Sequence, residues 1–183
     1  FRHALAVTKV TPVEVVTDAA GTYPGVLDEL IPSAWHHVEQ YAGQGDDEAV
    51  SLLLEAGNAA AARAPAAAAR WFEATLRLLS VADERQVDVR VALASSLRSL
   101  GELDRCGATL LEAIDLLPAD AVARRVELTA HCAAVEHWLG HHDDAHRRLT
   151  RAWDDLPDRS TAEAAVLEIE LAVDGLYERD FGQ

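Results

Sequence analysis

The sequence predicts an all-α protein, built as an α-solenoid of antiparallel helix pairs. Alanine is the commonest residue and leucine the next commonest apolar one, while aromatic residues make up only 5% of the chain. That mixture favours helix over strand. The chain also aligns with itself at an offset of 39, which is the separation of Gly101 and Gly140. A fixed period between about 20 and 50 is typical of stacked repeats.

The internal repeat covers residues 47–183 and contains about three and a half units. At this offset, which we call the repeat period, the first helices align at Leu93, Cys132 and Leu171, and the second helices at Trp71, Leu110 and Leu149. We expect helix pairs over about 47–80, 84–118 and 121–157, followed by a half repeat over 160–183.

The first two pairs have clear boundary signals. Helices are predicted over about 47–62 and 65–79, with Pro65 in a first helical turn. In the second pair, a helix over about 84–100 ends at Gly101, and the next, over about 103–117, is stopped by Pro118.

The later elements follow the same plan. Helices are predicted over about 121–139 and 142–156, where Gly140 forms the break and Pro157 the stop. Ser160 and Glu163 predict a capping box that opens a last helix over about 161–177.

Residues 1–46 show no clean period. We interpret them as a lead-in segment whose second half, with a helix over Asp28–Ala42, caps the array at its N-terminal end.

Small residues at fixed positions resemble the tetratricopeptide pattern. Two second helices contain a small residue, a leucine, an alanine and a proline in the same order and spacing: Cys106, Leu110, Ala113 and Pro118, then Ala145, Leu149, Ala152 and Pro157. The repeat period exceeds that of the consensus tetratricopeptide, so we expect longer helices or turns.

A more specific resemblance lies in the Ala-rich run Glu55–Ala74, in Ala34–His37, and in the opening Phe1-Arg2-His3-Ala4-Leu5. These segments resemble the large ATP-binding transcription regulators of the LuxR type from actinomycetes. Such regulators place a P-loop ATPase first, tetratricopeptide-like repeats next and a helix-turn-helix domain last. The resemblance implies that this chain is the sensing or partner-binding region of such a regulator.

Composition excludes several other functions. The chain has 31 acidic against 16 basic residues and a net charge of -15, which argues against direct binding of nucleic acid. No glycine-rich phosphate-binding loop surrounds Lys9, the one lysine. No apolar run approaches the length of about 20 residues needed to span a membrane. With two cysteines and no signal-peptide pattern, we expect a cytoplasmic protein.

One polar cluster invites a chemical interpretation: His137, His141, His142, Asp143, Asp144 and His146. Imidazoles and carboxylates at this spacing are metal ligands in other proteins. Because Gly140 separates the first two histidines, and no equivalent cluster surrounds Gly101, we interpret it as a solvated turn and expect no metal and no cofactor. Cys106 and Cys132 take core positions of the repeat, so we expect reduced, buried thiols. Nothing indicates an enzyme.

The predicted partner-binding residues come from the first helix of each pair, which lines the concave face of such arrays. They are Ser95, Arg98, His137, Trp138 and Tyr177. A groove-facing tryptophan is a common anchor for a partner. The alternative, that Trp138 and Tyr177 pack between neighbouring repeats, stays open.

Two functions remain consistent with the sequence. In the first, a protein, a peptide or a small effector binds the concave face and shifts the array against the ATPase and DNA-binding domains of the same regulator. In the second, a free-standing scaffold binds a partner peptide in its groove. Exposed repeat ends would also allow a homodimer.

Overall fold

The described part of the protein consists of helices. The computed structural model describes residues 44–181, with side chains for residues 44–177, and contains seven α-helices and no strand in that range. They are α1 (Asp47–Ala60), α2 (Pro65–Leu78), α3 (Gln86–Ser99), α4 (Leu103–Asp115), α5 (Val122–Trp138), α6 (His142–Asp154) and α7 (Ala162–Phe181). The lead-in predicted for residues 1–46, including the helix over Asp28–Ala42, lies outside the described residues except for its last three. Within the described range, no helix combines the length and the apolar character needed to cross a membrane.

Local signals set several helix boundaries. The Asp46 side chain accepts a hydrogen bond from the Ala49 N–H at 3.1 Å and so caps α1. Pro65 begins α2, where a missing N–H leaves no hydrogen bond unmade. Gly101 and Gly140, just after α3 and α5, have φ angles of 75° and 79°, a conformation that favours glycine.

The two glycine turns have the same backbone hydrogen bonds. In each, the residue after the glycine donates its N–H to the carbonyl at the fifth position before it: Glu102 to Leu97 at 3.0 Å, and His141 to Glu136 at 2.8 Å. The helices that follow, α4 and α6, also begin and end exactly one repeat period apart, since Leu103 aligns with His142 and Asp115 with Asp154. The two αα-hairpins are therefore built alike.

The predicted capping box at Ser160 is wrong. The Ser160 hydroxyl donates to Asp158 Oδ1 at 2.7 Å, within a local turn. The cap comes instead from Thr161, whose hydroxyl oxygen accepts from the Ala164 N–H at 3.4 Å, and α7 begins at the next residue. Asp158 competes for the Ser160 hydroxyl, which the spacing to Glu163 alone does not reveal.

Neighbouring helices run in opposite directions. Very short connections, 100–102 and 139–141, join α3 to α4 and α5 to α6, which forces the chain to reverse. Alternate helices run in the same direction: Asp88 near the start of α3 pairs with Arg124 near the start of α5 at 2.8 Å. Late in their helices, His137 of α5 stacks on Tyr177 of α7. Each helix packs on its chain neighbours, and α7 also packs on α5.

Two buried clusters form the core, and both include α5. The larger one runs from α1 through α4 and takes Leu128, Cys132 and Val135 from α5. The smaller one joins α6 and α7 to Val126 and Ala133, also on α5. Helix α5 is therefore buried on two faces and connects the two halves of the described chain.

Burial recurs with the repeat period. One position is buried in all four odd-numbered helices: Val50, Val89, Leu128 and Leu167. A second is buried in all three even-numbered helices: Ala67, Cys106 and Ala145. Residues at these aligned sequence positions are therefore all buried.

Two glycines in helix interiors should respond oppositely to alanine. A Cβ at Gly57 would lie 2.6 Å from the ring of the buried Phe72, so Gly57→Ala should destabilise the fold by about 1–3 kcal/mol. A Cβ at Gly107 would make an ordinary 3.5 Å contact with Val135, so Gly107→Ala should stabilise the fold by about 0.5–1 kcal/mol through helix propensity. Urea unfolding of both variants tests this pair. A loss of stability in Gly107→Ala would contradict the packing described for α4 and α5.

Candidate functional site

The predicted partner-binding residues lie toward the C-terminal ends of α3, α5 and α7. Ser95 and Arg98 are exposed on α3. Trp138, the last residue of α5, is 55% exposed. His137 is buried, and Tyr177 is half-buried. The structure therefore brings His137 and Tyr177 into the packing between helices, and leaves Trp138, Ser95 and Arg98 at the surface.

Three aromatic rings from three helices meet near the C-terminal end of α5. The Tyr177 ring of α7 stacks on His137 of α5, with centroids 4.3 Å apart, and on His142 of α6, at 5.3 Å. The Nδ1 atoms of the two histidines are 3.1 Å apart, so one ring donates and the other accepts. This bond exists only while at least one of the two imidazoles is neutral at Nδ1.

A buried carboxylate lies next to these rings. Asp174 of α7 is 1% exposed, and its Oδ2 is 2.6 Å from Nδ1 of His146 on α6. Its Oδ1 is 3.5 Å from Nε2 of His137, within ion-pair distance but without a hydrogen bond. One carboxylate oxygen is therefore hydrogen-bonded, and the other has no hydrogen bond and attracts the nearby His137 imidazole only when that ring is protonated. A buried oxygen without a hydrogen bond destabilises the fold, so this position is costly in free energy.

Asp174 occupies a position that is otherwise uncharged. Its equivalents at the repeat period are Gly57, Ser96 and Val135, and all four are buried. His146, the hydrogen-bond partner of Asp174, also aligns with an uncharged residue. Its equivalent at the repeat period is Gly107, where an added Cβ would contact Val135. A His–Asp pair thus occupies positions that correspond to Gly107 and Val135 at the sequence offset of 39.

Sequence reasoning found part of this cluster and missed its centre. Of the six residues in the predicted polar cluster, the structure brings together His137, His142 and His146, with Asp174 from the next helix. Asp144 instead pairs with Arg147 on the surface. The sequence does contain a signal for Asp174. At the repeat period this charged residue aligns with three uncharged ones, which marks it as a candidate member of the cluster.

In the part of the chain that the structure describes, no three or more His, Cys, Asp or Glu side chains are arranged to hold a metal ion. The two facing Nδ1 atoms of His137 and His142 are directed at each other across 3.1 Å. This arrangement uses both nitrogens in a hydrogen bond.

The two cysteines are core residues, as the sequence predicts. Cys106 and Cys132 are free and buried in the larger cluster. Burial raises the pKa of both thiols, and that of Cys132 to about 12. Thiols with raised pKa values are poor nucleophiles at neutral pH.

Burial also affects His137. It lowers the pKa of His137 below the ordinary value of 6.5, and the attraction of Asp174 offsets this only in part. The other charged groups that act on His137 are His142 of α6, Glu136 of α5 and Glu170 of α7.

His137 should make the fold less stable in acid. Below about pH 6.5 the unfolded chain binds a proton at this residue that the folded chain binds less readily, so the free energy of unfolding should fall as the pH decreases. The variant His137→Gln should show a shallower fall between pH 7.5 and 5.5 in urea titrations. His131→Gln, at an exposed position, is the matched control and should keep the wild-type slope. Equal slopes for wild type and His137→Gln would contradict this role.

The His146–Asp174 pair should be replaceable by a small residue and valine, similar to Gly107 and Val135 at the aligned positions. His146→Ala alone leaves the buried carboxylate without its hydrogen bond and should destabilise the fold by about 1–3 kcal/mol. The double variant His146→Ala/Asp174→Val removes the buried charge as well. It should be neutral or more stable than wild type by about 1–4 kcal/mol. Equilibrium unfolding measures both, and a double variant less stable than His146→Ala would refute the equivalence.

Comparisons with known proteins assign no family to the chain. No family model, no curated protein and no solved structure matches it. Its function has to be inferred from its own residues and their geometry.

Proposed function

We propose that this chain is a tetratricopeptide-like α-solenoid that serves as the non-catalytic sensor or partner-binding region of a LuxR-type transcription regulator. In this proposal, a protein, a peptide or a small effector binds the concave face. Binding shifts the array against an ATPase module and a DNA-binding domain elsewhere in the regulator.

Three features of the described residues support the solenoid. Burial recurs with the repeat period in both kinds of helix. The alternate helices α3, α5 and α7 run in the same direction, as the contacts of Arg124 and His137 indicate. Helices pack mainly on their chain neighbours, which is typical of a quasi-one-dimensional array.

The exposed indole of Trp138 is the observation that carries the partner-binding role. It is the largest of the exposed apolar side chains in the described residues, and it follows directly after the packed ring of His137. Tryptophan is enriched among the residues that dominate binding energy at interfaces. Ser95 and Arg98 are exposed polar residues near the C-terminal end of α3, as Trp138 is at the C-terminal end of α5.

The acidic surface restricts the partner. With a net charge of -15, the chain repels nucleic acid and favours partners that carry positive charge. Several arginines already pair with carboxylates of the same chain, among them Arg85, Arg124 and Arg148. The chain as a whole therefore favours a basic peptide or protein over an anionic partner.

The assignment to a regulator depends on the resemblance in residues 1–5, 34–37 and 55–74, and the open reading frame around the chain tests it. We expect a P-loop ATPase upstream and a helix-turn-helix domain downstream. A frame that encodes neither would refute the regulator and leave the free-standing scaffold, which has the same candidate surface.

Trp138→Ala should separate a surface role from a packing role. Because the indole is 55% exposed, its loss should change the free energy of unfolding by less than about 1 kcal/mol. Leu149→Ala, at a position 0% exposed, should cost about 2–5 kcal/mol and is the positive control for packing. In the intact regulator, Trp138→Ala should reduce reporter transcription while protein levels stay unchanged. A drop in thermal midpoint as large as that of Leu149→Ala would show that Trp138 packs instead.

A further inference from the structure

Arginine–carboxylate pairs connect the helices that precede α7. Each joins an arginine to an aspartate or glutamate in a different helix or connection: Arg85 with Asp47, Arg90 with Glu112, Arg124 with Asp88, and Arg148 with Glu136. Arginine is always protonated, and the ordinary pKa values of aspartate and glutamate are about 4. Pairs of this kind therefore keep both charges between pH 7.5 and pH 5.5.

Helix α7 is joined to its neighbours through imidazoles instead. Its described side chains include no Lys, Arg or His. Its buried Asp174 meets Nδ1 of His146 on α6 at 2.6 Å and lies 3.5 Å from Nε2 of His137 on α5. Its Tyr177 ring stacks on His137 and on His142 of α6. Because imidazoles ordinarily gain a proton between pH 7.5 and pH 5.5, the contacts of α7 are the ones that change in this range.

The start of α7 also lacks a contact that fixes the starts of α3 and α5. The Gln86 side chain of α3 donates to the Ser80 carbonyl at 2.9 Å, two residues past the end of α2. At the repeat period its equivalent is Arg125 of α5, which donates to the Leu117 carbonyl at 3.0 Å, two residues past the end of α4. The next equivalent is Ala164 of α7, whose side chain has no polar atom. The start of α7 therefore cannot form this contact with the end of α6.

Successive protons affect the polar cluster in opposite ways. A proton on His146 strengthens its hydrogen bond to the Asp174 carboxylate. The Nδ1 atoms of His137 and His142 are 3.1 Å apart and can share one hydrogen between them. Protonation of both rings puts a hydrogen on each Nδ1, which breaks this bond and brings two positive charges together.

Burial makes a charge on His137 more costly still. Its side chain is 6% exposed, and burial lowers its pKa below the ordinary 6.5. The nearby carboxylates, Asp174 and Glu170 of α7 and Glu136 of α5, offset this effect only in part. The packed arrangement of α7 therefore opposes protonation of His137.

We infer that protonation of His137 and His142 in mild acid releases α7 from α5 and α6, while α1–α6 stay packed. Because Tyr177 covers both rings, its departure with α7 lets water reach them, and each can then bind a proton at its ordinary affinity. Release would uncover Leu149 and Leu167, both 0% exposed in the packed arrangement. The inference uses the repeat alignment but not the proposed partner-binding role, so either can fail without the other.

Hydrogen exchange of the whole chain between pH 7.5 and pH 5.5 tests this release. After correction for the chemical exchange rate, the amides of α7 should open with a lower free energy and a smaller urea dependence than those of α3. That difference identifies a local opening rather than unfolding of the whole chain. The opening constant of α7 should rise at least about threefold as the pH falls over this range.

Histidine variants identify the protons involved. His137→Gln and His142→Gln should each reduce the rise in the opening constant, because each removes one titrating ring. His146→Gln can still donate to Asp174 but does not gain a proton, so its rise should be steeper than that of wild type. His131→Gln, at an exposed position of α5, is the matched control and should keep the wild-type rise. Circular dichroism at pH 7.5 confirms that each variant keeps its helix content.

Four results would overturn the inference. The first is an α7 opening constant that does not change with pH. The second is exchange of α7 and α3 with the same free energy and the same urea dependence, since α7 would then open only when the whole chain unfolds. The third is an undiminished rise in either His137→Gln or His142→Gln. The fourth is a smaller rise in His146→Gln than in wild type.

Discussion

Helix α5 has to bury two faces at once, because in the described residues the two core clusters meet only on this helix. Leu128 and Val135 belong to the larger cluster, and Val126 and Ala133 to the smaller one. A helix held on both sides has little freedom to rotate or slide, since either movement would expose apolar surface. The positions of its C-terminal residues, the buried His137 and the exposed Trp138, follow from this double packing.

The polar cluster at the end of α5 lowers the stability of the fold and favours one arrangement of three helices. Asp174 is buried where the aligned residues Gly57, Ser96 and Val135 are uncharged, and only one of its oxygens is hydrogen-bonded. Its neighbours His137 and His146 come from α5 and α6 respectively. A rotation of α7 that kept the carboxylate buried but moved it away from both imidazoles would leave a buried charge without a partner, which is strongly unfavourable. The cluster therefore favours a single register of α7.

This packing leaves large apolar side chains exposed in two places. At the end of α5, the Trp138 indole is 55% exposed. Along α7, Val166, Ile169, Val173 and Leu176 form an exposed row. Val173 and Leu176 lie two repeat periods after Ser95 and Arg98 in the sequence.

The sequence by itself determined the helices and the turns of the second and third pairs, because their signals are local. Gly101 and Gly140 each permit a positive φ, and Pro65 begins a helix, whatever the rest of the chain does. The repeat period also identified Cys106 and Cys132 as core residues. Only the tertiary structure decided that Asp174 meets His137 and His146, since that contact joins residues far apart in the chain through the packing of three helices. It likewise decided which predicted site residues face solvent, because exposure depends on what neighbouring helices cover and not on helical periodicity alone.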